Sequence, residues 1–266
     1  DNKYADSAQT TDPLTDPSKW QNYIDHFYSA LDPIFIMENF FTNTTSEFCN
    51  ELIKGRKGKY SGCKVLFWCD LRTSTNGSAS DLDILWNSAM VYNWMKMMRP
   101  DDSMLKFRCP FGQKYSDEEY AKYADDFQLA TKNGNNFVDY YKNTGNIKYF
   151  PGQIYLQCWE GRHSAETRLW VSKDDIDSLE KYDRVAYEET LFYYNCIERV
   201  GLFHENPHAY ADLGSDQCND CAIEGHIWET YRLKMDKDFN IYWWMNWMGE
   251  ITTRPLTRAG HGFLKK

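Results

Sequence analysis

The stretch GQIYLQCWEGRHSAETRLWVS, residues 152–172, decides how the chain is read. It holds two strand signals, GQIYLQCWE and TRLWVS, each rich in β-branched and aromatic residues. Four more stretches carry the same signal: PIFIMENFF (33–41), GCKVLFWCD (62–70), NFVDYYK (136–142) and NIKYF (146–150). In GCKVLFWCD, Cys63, Val65, Phe67 and Cys69 share one face, because strand side chains alternate. So many strands predict a β-rich α+β protein.

Helical signals punctuate the strands. Asp16 and Pro17 suit the cap and first position of a helix in which Trp20, Tyr23, Phe27 and Leu31 recur at helical spacing. SASDLDILWNSAMVYNWMKMMRP (78–100) is ambiguous in type. Ser80 and Asp83 form a capping-box pair there, Leu82, Leu85, Trp86 and Ala89 fit a helix, and Pro100 ends it. SDEEYAKYADDFQLA (116–130) has the same start signature. The clearest helix is expected from a Ser172 cap, with Asp175 three residues on. Ile176, Leu179, Tyr182, Ala186, Tyr193, Ile197 and Val200 line one side of it, and Gly201 stops it.

Neither a repeat nor a low-complexity linker interrupts the chain, so one compact unit is expected. It comprises a body over 1–201 and a C-terminal extension over 202–266. The extension carries a short helix pattern at 221–233 and a doubly buried strand signal in FNIYWWMNWMGEI (239–251).

The 266 residues are 42% hydrophobic and 17% aromatic, enough for a real core. Ten Trp and nineteen Tyr suggest an aromatic-lined pocket or an aromatic-rich core. A formal net charge of -9 disfavours a nucleic-acid partner, since phosphate contacts need a basic stripe. No apolar run reaches membrane-spanning length. The abrupt start DNKYADSAQTTDP reads as a mature end after cleavage, and eight cysteines fit an oxidising, extracellular setting with up to four disulfides.

HENPH (204–208) spells the H-E-x-x-H zinc motif. Pro207 lacks an N–H and clashes with the preceding helical turn, so His204 and His208 do not share a helix face. With His226 and the Cys218–Cys221 pair, these residues form a candidate structural zinc site; a metal-assisted enzyme would instead use His204, His208 and His226 as ligands and Glu205 as the base. No phosphate loop, nucleophile elbow or dinucleotide fingerprint is present, and no cofactor is expected.

The opening DNKYAD-x-A before the Trp20 helix, IYLQCWE, TRLWVSKDDI (167–176) and the helix to Cys196 resemble the tick salivary lipocalins of the histamine-binding type. That resemblance implies a lipocalin-like antiparallel β-barrel with flanking helices, enclosing a small host mediator such as histamine, serotonin or a leukotriene. Amine-binding members place carboxylates where this chain has Ser18 and Arg168. A biogenic amine is therefore a doubtful ligand, and an anionic lipid mediator suits Arg168 better.

The leading expectation is thus a secreted salivary protein that sequesters a hydrophobic or amphipathic mediator. Its pocket is walled by Trp20, Phe67, Trp159, Arg168 and Trp170. One alternative is a secreted enzyme with a metal-assisted site at 204–226. Another is a protein-binding effector that uses Trp243, Trp244 and Trp247.

Overall fold

The computed structural model describes residues 16–29, 40–74, 79–157 and 164–198, with a few positions further on. The chain forms two compact units, 1–155 with 167–185, and 156–166 with 186–266. The expected division at 201/202 lies outside the described residues.

The first unit is built round one helix. α3 (Asp81–Met98) starts where the sequence signalled. The Ser80 hydroxyl accepts from the Asp83 amide, and the Asp83 carboxylate accepts from the Ser80 amide at 2.9 Å. The helix type was ambiguous because α3 has no polar side: 13 of its 18 residues are buried. Its buried polar groups are satisfied one by one. Asn87 accepts from the Thr73 amide, Asn93 donates to the Asp126 carbonyl, and Trp94 donates to Asn43 Oδ1. At the far end Arg99 adopts φ 49, the left-handed conformation that closes the helix. Asp177 grips the Arg99 guanidinium through two bonds of 2.9 and 2.6 Å and takes Lys96 at 2.8 Å.

β1 (Leu66–Cys69) precedes α3 and β2 (Asp102–Phe107) follows it, and the two strands pair in parallel. That is a β–α–β unit. β5 (Thr167–Ser172) then lies antiparallel against β2, and β4 (Gln153–Leu156) lies beyond it, giving the order β1-β2-β5-β4. Burial alternates along β2 and β5, so Ser103, Leu105, Phe107, Thr167, Leu169 and Val171 form the inner face. The inner face packs against an aromatic layer in which Phe107 stacks on Tyr149 and Tyr92 stacks on Phe150.

The remaining helices of this unit are α1 (Trp20–Ser29), α2 (Asn43–Lys54), α4 (Asp117–Ala121), α5 (Ala124–Lys132) and α6 (Phe137–Thr144). Trp86 ties α5 to α3 by donating to Asp126 at 2.7 Å while stacking on Tyr123. A two-stranded ladder, β3 (Ile147–Tyr149) with β6 (Glu180–Tyr182), completes the unit. α7 (Arg184–Tyr193) runs on into the second unit and ends in a π-helical turn, Tyr194–Glu198.

These findings overturn the β-rich barrel. The chain is a mixed α/β protein with an open four-stranded sheet, two of whose strands are parallel. NFVDYYK is not a strand but α6, capped by the Asn136 side chain and closed by Gly145 at φ 69. The long helix from Ser172 is also broken. Ser172 Oγ bonds Asp175 Oδ2 at 2.7 Å in a single 3-10 turn, and Tyr182 enters β6 and donates to the Phe150 carbonyl. Of the apolar residues over 176–182, Ile176 and Tyr182 are buried at separate points and Leu179 is exposed, and the helix begins only at Arg184. The strands expected at 33–41 and 239–251 lie largely outside the described residues, as does the tail.

Among the described residues Cys49, Cys63, Cys69, Cys109 and Cys196 are thiols, with no disulfide between them. None of the described helices is long and apolar enough to cross a membrane.

Candidate functional site: the outer sheet face and the loop after β2

The outer face of the sheet is set by register. Trp68 stands opposite Met104, and Met104 opposite Trp170. One step along, Lys106 stands opposite Arg168. Asp70, just past the end of β1, completes this second row. Its Oδ1 accepts from Arg168 Nη2 at 2.7 Å and lies 3.3 Å from Lys106 Nζ. The two cationic side chains are only 16% exposed, whereas Trp68 is 63% exposed. An aromatic row and a charged row thus lie side by side. The charged row sits at the carboxyl ends of the parallel strands, where open α/β sheets place their ligands.

Cys69 lies behind this row on the inner face. Burial pushes its thiol up, which makes it a packing group rather than a nucleophile.

Residues 108–116 leave the end of β2 and are held with unusual completeness. Asp81, first residue of α3 and almost fully buried, accepts from the Phe111 amide at 2.8 Å and the Gln113 amide at 2.9 Å. The Tyr141 hydroxyl lies 3.0 Å from the same carboxylate and 2.7 Å from the Gln113 carbonyl. Burial, helped by the Asp81 charge, holds the Tyr141 phenol well above its usual range, so it stays a donor. From the other side Arg184 Nη1 donates to the Phe111 carbonyl at 2.8 Å. Gly112, at φ 92, leaves room for that guanidinium: a Cβ there would stand 2.8 Å from Arg184 Nε. The product is one aromatic ring, Phe111, 49% exposed on a fixed backbone, with the Arg108 guanidinium 4.1 Å from its centre.

The expected site residues divide. Arg168 and Trp170 come together on the outer face of β5. Trp20 does not join them; it packs edge-on against Phe48, 5.7 Å away, in the small α1–α2 core. Phe67 points to the inner face, 5.7 Å from Phe41, which in turn lies 4.8 Å from Trp94. Trp159 lies outside the described residues, as do His204, Glu205, His208, Cys218, Cys221 and His226. Sequence reading missed Trp68, Asp70, Met104, Lys106 and Phe111. Alternation could have found three of them. If Phe67 faces inward then Trp68 does not, and Lys106 is the one charge inside SMLKF (103–107). The placement of Phe111 depends on the Asp81 and Arg184 contacts, which no local pattern announces.

A further hollow of about 470 Å³ lies between α4, α5 and α6, lined by Tyr120, Phe127, Thr131 and Val138 among others. It is open and holds no paired ionisable groups.

Compared with known proteins, the chain matches no family model and no curated sequence.

Proposed function

We propose that the first unit carries the acceptor side of a group-transfer enzyme acting on a hydroxyl. The observation that supports this most directly is the Asp70–Lys106 pair, set on adjacent parallel strands at their carboxyl ends. A hydroxyl brought against the exposed edge of such a pair can give its proton to the carboxylate, while the ammonium stabilises the oxyanion left behind. Arg168 fixes Asp70 in place. Phe111 supplies a flat, rigid surface beside the same strand end, which suits a substrate bearing a planar ring, such as a nucleoside.

The described residues do not fit a nucleotide-bearing group donor. The described part of the β1–α3 turn has no glycine-rich fingerprint, and the start of α3 is closed by Ser80 and Asp83 themselves. Donor binding is therefore not assigned to these residues.

The test is titration of the full chain with ribonucleosides, followed by Trp fluorescence, alongside transfer of tritiated methyl to the same ribonucleosides from S-adenosylmethionine, used as the donor probe. Saturable quenching that disappears in Phe111→Ala, with transfer that disappears in Lys106→Met, is the expected pattern. Quenching and transfer that are both absent in the unaltered chain, or indifferent to both substitutions, refute the proposal.

A second reading rests on the row Trp68–Met104–Trp170 beside Arg168. It offers apolar contact ending in a cation, which suits an amphipathic anion such as a lipid carboxylate. Saturable binding of a fluorescent fatty acid, weakened by Arg168→Met and by Trp170→Ala but not by Phe111→Ala, distinguishes this reading from the first.

A further inference from the structure

Among the described residues, α7 and its π-helical turn are pinned along one side by buried groups. Tyr187 and Leu191 are buried, and so is Asn195. The Tyr187 hydroxyl donates to the Ala165 carbonyl at 2.8 Å, and Asn195 Nδ2 donates to the Ser164 carbonyl at 3.0 Å. These contacts fix the rotation of the helix and turn its opposite side outward. That side carries Phe192, Tyr193 and Ile197, which are 66%, 54% and 55% exposed. Single exposed apolar residues are ordinary on a protein surface. Three large ones within six positions of one helix are not, and such groupings mark contact surfaces. Ile197 sits in the π-helical turn, a distortion that recurs at functional positions.

The charge around the stripe selects its occupant. Between Val185 and Glu198 the chain has Glu188, Glu189 and Glu198 and no basic residue, with Arg184 and Arg199 just beyond the two ends; Glu189 and Glu198 are the exposed acids. Glu189 lies one turn before Phe192 and Tyr193, and Glu198 adjoins Ile197. A second copy of the same stripe would set these carboxylates against their like.

We infer that the outer side of α7 docks an amphipathic segment of a partner protein whose apolar anchors are flanked by lysine or arginine. Helix-in-groove recognition of this kind reads anchors at three- and four-residue spacing. The apolar contacts hold the segment, and the glutamates set its sign and speed its approach.

The test uses the full chain and two synthetic helical peptides, one of leucine and lysine, one of leucine and glutamate, each carrying a fluorophore. Anisotropy titration is expected to show saturable binding of the lysine peptide alone. The double variant Phe192→Ser/Ile197→Ser keeps every charge and is expected to weaken that binding at least tenfold with an unchanged melting temperature. Where the double variant fails to fold, the surface change Glu189→Lys serves, with a several-fold loss expected. Equal binding of both peptides overturns the inference, as does lysine-peptide binding that survives the apolar substitutions. A concentration-dependent dimer of the unaltered chain, abolished by Ile197→Asp in sedimentation velocity, also overturns it, by making the occupant a second copy.

Discussion

Asp81 holds the Phe111 amide 2.8 Å from its carboxylate, so the first residue of the most buried helix fixes the one exposed aromatic ring of the loop after β2. Two backbone donors and a phenol converge on that carboxylate. In Asp81→Asn the new amide must turn an N–H toward one of these donors. Charge-assisted bonds contribute about 1.5–3 kcal/mol each, so a loss of about 2–4 kcal/mol is expected by urea denaturation. Under the hydroxyl-transfer proposal KM rises more than kcat falls. A variant as stable as the parent removes Asp81 from its supporting role.

Lys106 and Asp70 act as a unit in the proposed chemistry. Lys106→Met keeps the length and much of the stem packing of the side chain but removes the ammonium that would stabilise the oxyanion. Transfer is expected to fall at least a hundredfold, in line with the usual size of general acid–base effects, while ribonucleoside quenching persists. Lys106→Arg keeps the charge alone and is expected to rescue little. Full activity in Lys106→Met assigns the stabilisation of the oxyanion elsewhere.

Gly152 sits against the neighbouring strand. A Cβ at this position would come 2.1 Å from the Trp170 carbonyl oxygen, and backbone cannot yield as a flexible side chain can. Gly152→Ala is expected to separate β4 from β5 and to lower the denaturation midpoint sharply. Gly62→Ala, where a Cβ meets nothing within 4 Å, is the matched control and is expected to be nearly neutral. Comparable effects in the two variants remove the steric argument.

Asp101 links the start of β2 to the chain ahead of β1. The Val65 amide donates to it at 2.9 Å, and Lys173 and Arg56 lie at 3.2 and 3.3 Å. That amide, then the Lys173 ammonium, holds its carboxyl below the usual carboxylate range. A depressed folded-state value means stability that is present above the unfolded value, about 3.9, and lost as pH falls through the lower folded one. The stability difference between the parent and Asp101→Asn is therefore expected to be constant near neutrality and to shrink below about pH 4. A difference that is flat from pH 7 to pH 2 counts against the assignment.

Much of the local structure was legible in the sequence. The Ser80–Asp83 box, the Asp16 cap, the Ser116 start and the strands at GQIYLQ and TRLWVS all stand where side-chain chemistry near in sequence put them. Topology was not legible. Whether TRLWVS joins a barrel or lies antiparallel beside β2 depends on a partner some sixty residues away, as the Leu105↔Leu169 register shows. NFVDYYK misled because Tyr and Val favour strands, while its Asn136 cap and Gly145 stop are helix signals that outweigh them. The 176–182 stretch misled in the opposite sense, since apolar residues at helical spacing need not share a helix: Ile176 and Tyr182 are buried in separate places and Leu179 is exposed. Of the site, the sequence suggests Arg168 and Trp170 as walls of an enclosed pocket, whereas they lie together on the outer face of β5. Their companions came into view only with the β1–β2–β5 register.

The full enclosure of α3 bears on the order in which the molecule comes apart. Its backbone amides have no water-facing side from which hydrogen exchange can begin, and its neighbours on every flank must open first. Deuterium should enter α1 and the outer turns of α7 early, and reach the amides of Leu85 through Met95 only when the first unit unfolds as a whole. Their exchange rate would then report the global opening free energy of that unit.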